Sequence, residues 1–209
     1  MKLQILLISV ILSSCASVPP NLQLVKIEIV KYYESGEYSK DLKEIISQAE
    51  NGINKLDINS KSAVVFDVDE TSLSNYESIK KIYFGYDEKM WNDWIEEAKA
   101  PAIPEVKEFY NFLVLKNVKI IFLSSRKGSQ YDVTYNNLKN AGYITFDTLI
   151  LKVKSGSNLT SQEFKSNKRE ELSKNGYDII ATIGDQQSDL EGQFHGLQIK
   201  LPNYIYIIK

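Results

Sequence analysis

Only one cysteine, Cys15, occurs in this 209-residue chain, so no disulfide can form within it and the core must hold without a covalent crosslink. An excess of either charge is also missing. With 25 Lys and Arg against 27 Asp and Glu, the basic footprint of a nucleic-acid binder is absent, and no nucleic-acid polymer is expected as a partner. Internal repeats and long low-complexity tracts are lacking too. Histidine is as scarce as cysteine, and His195 is assigned a surface or loop position rather than a catalytic one. The apolar stretch from Leu3 to Leu12 is too short to span a bilayer comfortably.

That stretch follows Lys2 and runs into Leu12-Ser13-Ser14-Cys15, which reads as a lipobox: residues 1–14 form a lipoprotein signal peptide and Cys15 is the lipidated residue. An ordinary signal peptide with an incidental cysteine is the competing reading. Lipidation implies a membrane partner through the anchor at Cys15. Ala16 supplies no inner-membrane retention signal, so a bacterial outer membrane, facing periplasm or exterior, is the expected location. Residues 15–21 are small, polar and proline-containing, a short tether.

What remains, residues 22–209, is the length of one ordinary α/β domain with a modest insertion. Residues from about Leu22 to Leu56 read as helical, with Leu42, Ile45 and Ile46 at helical spacing. Four apolar strands follow: Ala63 to Phe66, Val118 to Leu123, Thr148 to Leu151 and Ile179 to Ile183. Helices are expected between them, from Glu105 to Leu115 after Pro104, from Gln130 to Asn140, and from Phe164 to Lys174. Strands alternating with helices predict an α/β fold with a doubly wound, mainly parallel sheet. Residues 72–103, rich in aromatic and charged side chains and helical around Glu88 to Ala98, interrupt the alternation as a small helical cap.

The first strand ends in Phe66-Asp67-Val68-Asp69-Glu70-Thr71. Open α/β sheets bind ligands at the C-terminal ends of their strands. As strand gives way to loop there, one carboxylate can face a substrate while the other turns to its flank. That arrangement suits phosphoryl transfer through an aspartyl intermediate, with Mg2+ neutralising the crowded acids. A solvated acidic loop is the duller reading, and the buried strand ahead of it argues against that. Further polar clusters lie at or just before later elements whose ends should share the same sheet edge: Ser124, Lys165, and the pair Asp185 and Asp189 in Gly184-Asp-Gln-Gln-Ser-Asp-Leu190.

With these four motifs in this order the chain resembles the haloacid-dehalogenase (HAD) superfamily. More narrowly it is similar to the class B acid phosphatase branch, subfamily IIIB, with its plant acid phosphatases and vegetative storage proteins and its bacterial lipoprotein acid phosphatases and 5′-nucleotidases. Trp91-Asn-Asp-Trp94, Lys99-Ala-Pro-Ala-Ile-Pro104, Phe122-Leu-Ser-Ser-Arg126, Leu149-Ile-Leu-Lys152 and Lys200-Leu-Pro-Asn203 extend the likeness from about Val64 to Pro202. Ser125 and Gln187 depart from the residues that relatives carry there.

The resemblance implies Asp67 as nucleophile and Asp69 as the acid that protonates the leaving oxygen and then deprotonates water. It implies Mg2+ held by Asp67, the main-chain carbonyl of Asp69, and Asp185, with Asp189 orienting that shell. Ser124 and Lys165 would bind phosphate, with Arg126 as a further candidate that could equally pair with an acid. Lys152 and Lys168 compete with Lys165, which fits the motif better. The expected activity is an acid phosphatase acting on small phosphate monoesters, nucleoside monophosphates or aryl phosphates among them. A non-catalytic storage or binding lipoprotein on the same fold, or a phosphotransferase, is the alternative. In the cap, Tyr83, Phe84, Tyr86, Trp91 and Trp94 could clamp an aromatic ring or form the cap's own core, the latter being favoured.

Overall fold

The structure, a computed structural model, describes residues 19–153 and 159–208. The signal segment, Cys15 and the first part of the tether lie outside the described residues. No helix among the described residues is long and apolar enough to cross a membrane.

The region expected to be helical from Leu22 to Leu56 is two helices, α1 (Leu22–Glu34) and α2 (Glu37–Ile53). Gly36 separates them at φ 92°, a left-handed backbone that a side chain would strain. Helix α1 buries no residue, whereas α2 lays Leu42, Ile46, Ala49 and Ile53 along one stripe onto the core.

Five strands follow: β1 (Ser62–Phe66), β2 (Lys119–Lys127), β3 (Thr148–Lys152), β4 (Asp178–Gly184) and β5 (Leu197–Lys200). Their order is β3-β2-β1-β4-β5, and every pairing is parallel. Helices α5 (Pro104–Leu115), α6 (Tyr131–Asn140) and α7 (Ser161–Lys174) provide the crossovers, and α8 (Gln187–Leu190) follows β4. Strand β1 is central and wholly buried, which is why it reads as an unbroken apolar run. Its side chains alternate between faces. Val64 and Phe66 pack with Ile120, Phe122, Phe109 and α2, while Ala63 and Val65 pack with Ile121, Leu123, Phe164 and Leu172. Helices on both faces leave strand ends as the open edge.

From β1 the chain winds outward to β3 and then returns to β4 on the other side of β1. The connection therefore reverses between β1 and β4, the kind of point where such sheets open a crevice. That reversal puts Asp67 beside Asp185. Between β1 and α5 lies the cap, with α3 (Tyr76–Lys81) and α4 (Glu88–Glu96).

Candidate active site

The loop after β1 is held from several sides. The Asp67 amide donates to the Ile183 carbonyl at 3.0 Å, and Ser72 Oγ donates to the Asp67 carbonyl at 2.6 Å. Glu70 takes a left-handed backbone, φ 52°, which turns the chain sharply enough for its buried side chain to accept from the Asn75 amide at 2.6 Å and the Tyr206 hydroxyl at 2.6 Å. Burial, with Asp69 and Asp185 nearby, pushes the Glu70 pKa up to about 8.

The two loop aspartates diverge, as their spacing suggests. Asp67 is buried and accepts from Lys165. Asp69 turns the other way, where Arg126 grips it with Nη2 at 2.6 Å and Nε at 3.0 Å, and Asn75 adds a bond at 2.9 Å. Arg126 also donates to Thr134 at 3.1 Å. Of the two readings open for Arg126, the structure places it on the acid, although it still borders the cavity.

Lys165 projects from α7 between Asp67 and Asp189, with its bond to Asp189 at 2.5 Å. Burial would lower its pKa, but the two carboxylates outweigh burial and hold it above its ordinary value, so the ammonium stays charged. The competing lysines lie elsewhere: Lys152 donates to the Leu159 carbonyl and Lys168 to Glu171, at 2.5 and 2.6 Å. Helix α7 begins three residues before the sequence reading placed it. Thr160 and Glu163 form a capping box there, a pattern visible in the sequence as Thr-x-x-Glu.

Strand β4 supplies the second acidic pair. Asp185 is buried and accepts from Thr71 at 3.1 Å, Gln186 at 2.6 Å and Asn203 at 2.7 Å. Burial and the neighbouring Asp189 raise its pKa to about 6. Asp189 closes back over the loop, accepting from the Gln186 amide at 2.8 Å. Only glycine fits at Gly184, since a Cβ there would lie 2.3 Å from the Asp189 side chain.

One oxygen each from Asp67, Asp185 and Asp189 lies within 4.8 Å of the others. Three buried carboxylates with a single lysine among them make a donor set of hard oxygens with surplus negative charge, which fits a cation such as Mg2+. Asp189, expected to orient that shell, is close enough to belong to it. The Asp69 carboxylate is engaged by Arg126, which leaves only the main chain of Asp69 for a metal.

These groups floor a cavity of about 520 Å3, with Ser124 on one side. Ser125 Oγ and Ser188 Oγ border it, buried and without hydrogen-bond partners among the described residues. Of the cap aromatics, Phe84, Tyr86 and Trp91 line the cavity. Trp94 instead packs on the core and donates to Asn75 at 2.7 Å, and Tyr83 is exposed. The cap's rings thus divide between the cavity wall and the core. His195 stands away from the cavity, its Nδ1 beside the Gly196 carbonyl at 2.7 Å.

Sequence reasoning gave no role to Glu70, Tyr206 or Arg169. Arg169 is fully buried on α7 and donates to the carbonyls of Asp189 (2.6 Å), Glu191 and Gln193 (3.3 Å), clamping the turn that carries Asp189. Burial lowers its pKa to about 10, so it remains charged at neutral pH.

A family model described as HAD superfamily, subfamily IIIB (acid phosphatase), matches residues 15–209. The chain is 40% identical over 190 residues to a stem 28 kDa glycoprotein of Glycine max, a match covering 88% of this chain and 75% of that one. It is 31% identical over 179 residues to acid phosphatase 1 of Solanum lycopersicum, covering 84% and 66% of the two chains. Among solved structures, the class C acid phosphatase from Bacillus anthracis superposes with a TM-score of 0.71 at 26% identity, covering 89% of this chain and 85% of that one.

Proposed function

The chain belongs to the HAD superfamily, subfamily IIIB, the acid phosphatases, and on that premise we propose that it is an Mg2+-dependent phosphomonoesterase of small organic phosphates, nucleoside monophosphates among them. One observation carries the reading: Asp67 and Asp69 leave the same strand in opposite directions, one toward Lys165 and the acidic cluster, the other into the grip of Arg126. A nucleophile and a separate proton carrier need that divergence.

Asp67 Oδ attacks phosphorus in line as the bond to the ester oxygen breaks. Asp69 gives its proton to that departing oxygen. The resulting aspartyl-phosphate is opened by water, which surrenders a proton to Asp69 while its oxygen joins phosphorus, and Asp67 and inorganic phosphate are freed. Lys165 sets positive charge beside Asp67, where the phosphoryl oxygens gather charge, and Ser124, buried beside the cavity, offers a hydroxyl donor. Asp67, Asp185 and Asp189, with the main chain of Asp69, would hold Mg2+, which when bound neutralises the carboxylates and polarises the phosphoryl group.

Phosphate release from a nucleotide and phosphosugar panel, with Mg2+ and with chelator, tests the reading. Metal-dependent release that Asp67→Asn abolishes in a folded protein supports it. No release by a folded, Mg2+-binding protein would favour a storage or binding role, and product partition with an added alcohol acceptor separates hydrolysis from phosphotransfer. Anchoring at Cys15, and with it an envelope location on a bacterial outer membrane, rests on residues 1–16 alone. It predicts that Cys15→Ser moves the protein from the membrane to the soluble fraction; unchanged partitioning would refute it.

A further inference from the structure

The floor of the catalytic cavity is ionic, but its upper wall is largely apolar, aliphatic side chains standing beside the cap's rings. Two segments far apart in sequence supply that wall: the cap, with Ile82, Phe84 and Met90, and the C-terminal segment, with Ile205 and Ile207. Met90 is 49% exposed and Ile207 is 76% exposed, so methyl and thioether groups stand in solvent at the rim of a reactive cavity. Exposed apolar surface concentrated at a concave site marks the place of a ligand's apolar part.

The C-terminal segment is fastened to the catalytic loops rather than merely lying near them. Ile205 and Tyr206 donate their amides to Asn203 Oδ1 at 2.8 and 3.3 Å. Asn203 in turn holds Asp185 at 2.7 Å, the Tyr206 hydroxyl holds Glu70 at 2.6 Å, and the Ile208 amide reaches Gln186 Oε1 at 2.9 Å. Ile205 and Ile207 are therefore fixed in register with Glu70 and Asp185. Cations are scarce on the same surface. Among the described residues lining the cavity, the basic side chains are Arg126 and Lys165, each already committed to carboxylates.

We propose that this cavity selects phosphate monoesters whose leaving alcohol is uncharged and apolar, with Ile205 and Ile207 of the C-terminal segment and Ile82 and Met90 of the cap as the specificity-determining residues. The inference rests on the phosphatase reading and narrows it, ranking esters of apolar alcohols above nucleotides and sugar phosphates. A sugar alcohol would bring hydroxyl groups against methyl groups and lose their water without replacement. A second phosphate would find no uncommitted cation among the described lining residues. An apolar alcohol instead displaces water from a wall that is already apolar.

The test compares kcat/KM of the full chain for 2-phenylethyl phosphate and glucose 6-phosphate, both esters of primary alcohols, so leaving-group chemistry is matched. Binding to a wall remote from phosphorus is felt alike before and in the transition state, so the preference should reside in KM. The expected preference for 2-phenylethyl phosphate is on the order of tenfold, about 1.4 kcal/mol, and the ratio should fall toward one in the Met90→Ser/Ile207→Ser double variant. Both positions are exposed, and a melting curve checks that the variant is folded. Equal or better use of glucose 6-phosphate, or an unchanged ratio in the double variant, overturns the inference. If Asp67→Asn still abolishes release in that case, the phosphatase reading survives. Release from neither ester overturns the inference, and the nucleotide panel then decides the phosphatase reading by itself.

Discussion

Removing divalent cations should make this protein less stable as pH rises from 5 to 8. Burial and Asp189 hold the Asp185 pKa at about 6, and burial with Asp69 and Asp185 holds Glu70 at about 8. Asp67 is pushed upward as well, by burial and the neighbouring acids, with Lys165 opposing. A carboxyl group whose pKa is higher folded than unfolded adds stability that is complete below the ordinary carboxylate range. That contribution is lost as pH climbs through the folded value.

Each pH unit inside such a window is worth about 1.4 kcal/mol per group. Between pH 5 and 8, Asp185 gives up roughly one unit and Glu70 roughly three; since the two share partners, about 3 kcal/mol in all is a fair figure. For a chain of this length that is a fall in Tm of about 6–12 °C. A cation binding the folded site reverses the sign of the local field and stabilises the fold by mass action, so its effect should grow with pH. Thermal melts from pH 5 to 8, in chelator and in millimolar Mg2+, read both. A chelated protein whose Tm is flat or rises over that range, with no gain from Mg2+ at pH 8, would refute the reasoning.

Two arginines carry further predictions. Arg126→Met should lower kcat/KM about 100-fold, because Asp69 then loses the fork that aims it. The Asp69 side chain is 17% exposed, so water can still reach the unpaired acid and the stability loss should be about 1–2 kcal/mol, below the 3–5 of a sealed pair. Full activity in a destabilised variant would make the pair purely structural. Arg169→Met leaves three carbonyls without their donor and should cost about 3 kcal/mol or more, with faster amide exchange in residues 189–193. An unchanged melting curve and exchange pattern would show that the clamp contributes nothing.

The sequence reading succeeded where one physical cause dominated. Strands β1 and β4 are buried on both faces, so their apolar runs were plain, and Pro104 does open α5. Strand β5 went unread because it is an edge strand that buries only Ile199 among Leu197–Lys200, which erases any periodicity. The break at Gly36 was missed because a glycine within a helical pattern does not announce its φ. The acidic floor was legible because Asp67 and Asp185 directly follow strands and Asp189 lies four residues beyond Asp185. Glu70 was not, since the Tyr206 hydroxyl that gives it meaning arrives from 136 residues away. Arg169 likewise looked like one more charge on a polar helix until the turn after β4 was seen folded over it.

Charge balance joins these residues into one device. The floor gathers Asp67, Asp185 and Asp189 around a single lysine, while the nearby arginines are spent on Asp69 and on main-chain carbonyls. A substrate phosphate adds further negative charge to that deficit, so Lys165 alone cannot balance both acids and ester. A bound cation would restore neutrality without protonating the acids, which the proposed attack by an ionised Asp67 requires. The crowding expected to weaken the metal-free fold toward pH 8 is therefore the same crowding that would favour a bound metal. Substitutions that relieve it, such as Asp189→Asn, should stabilise the chelated protein at pH 8 while weakening its response to Mg2+.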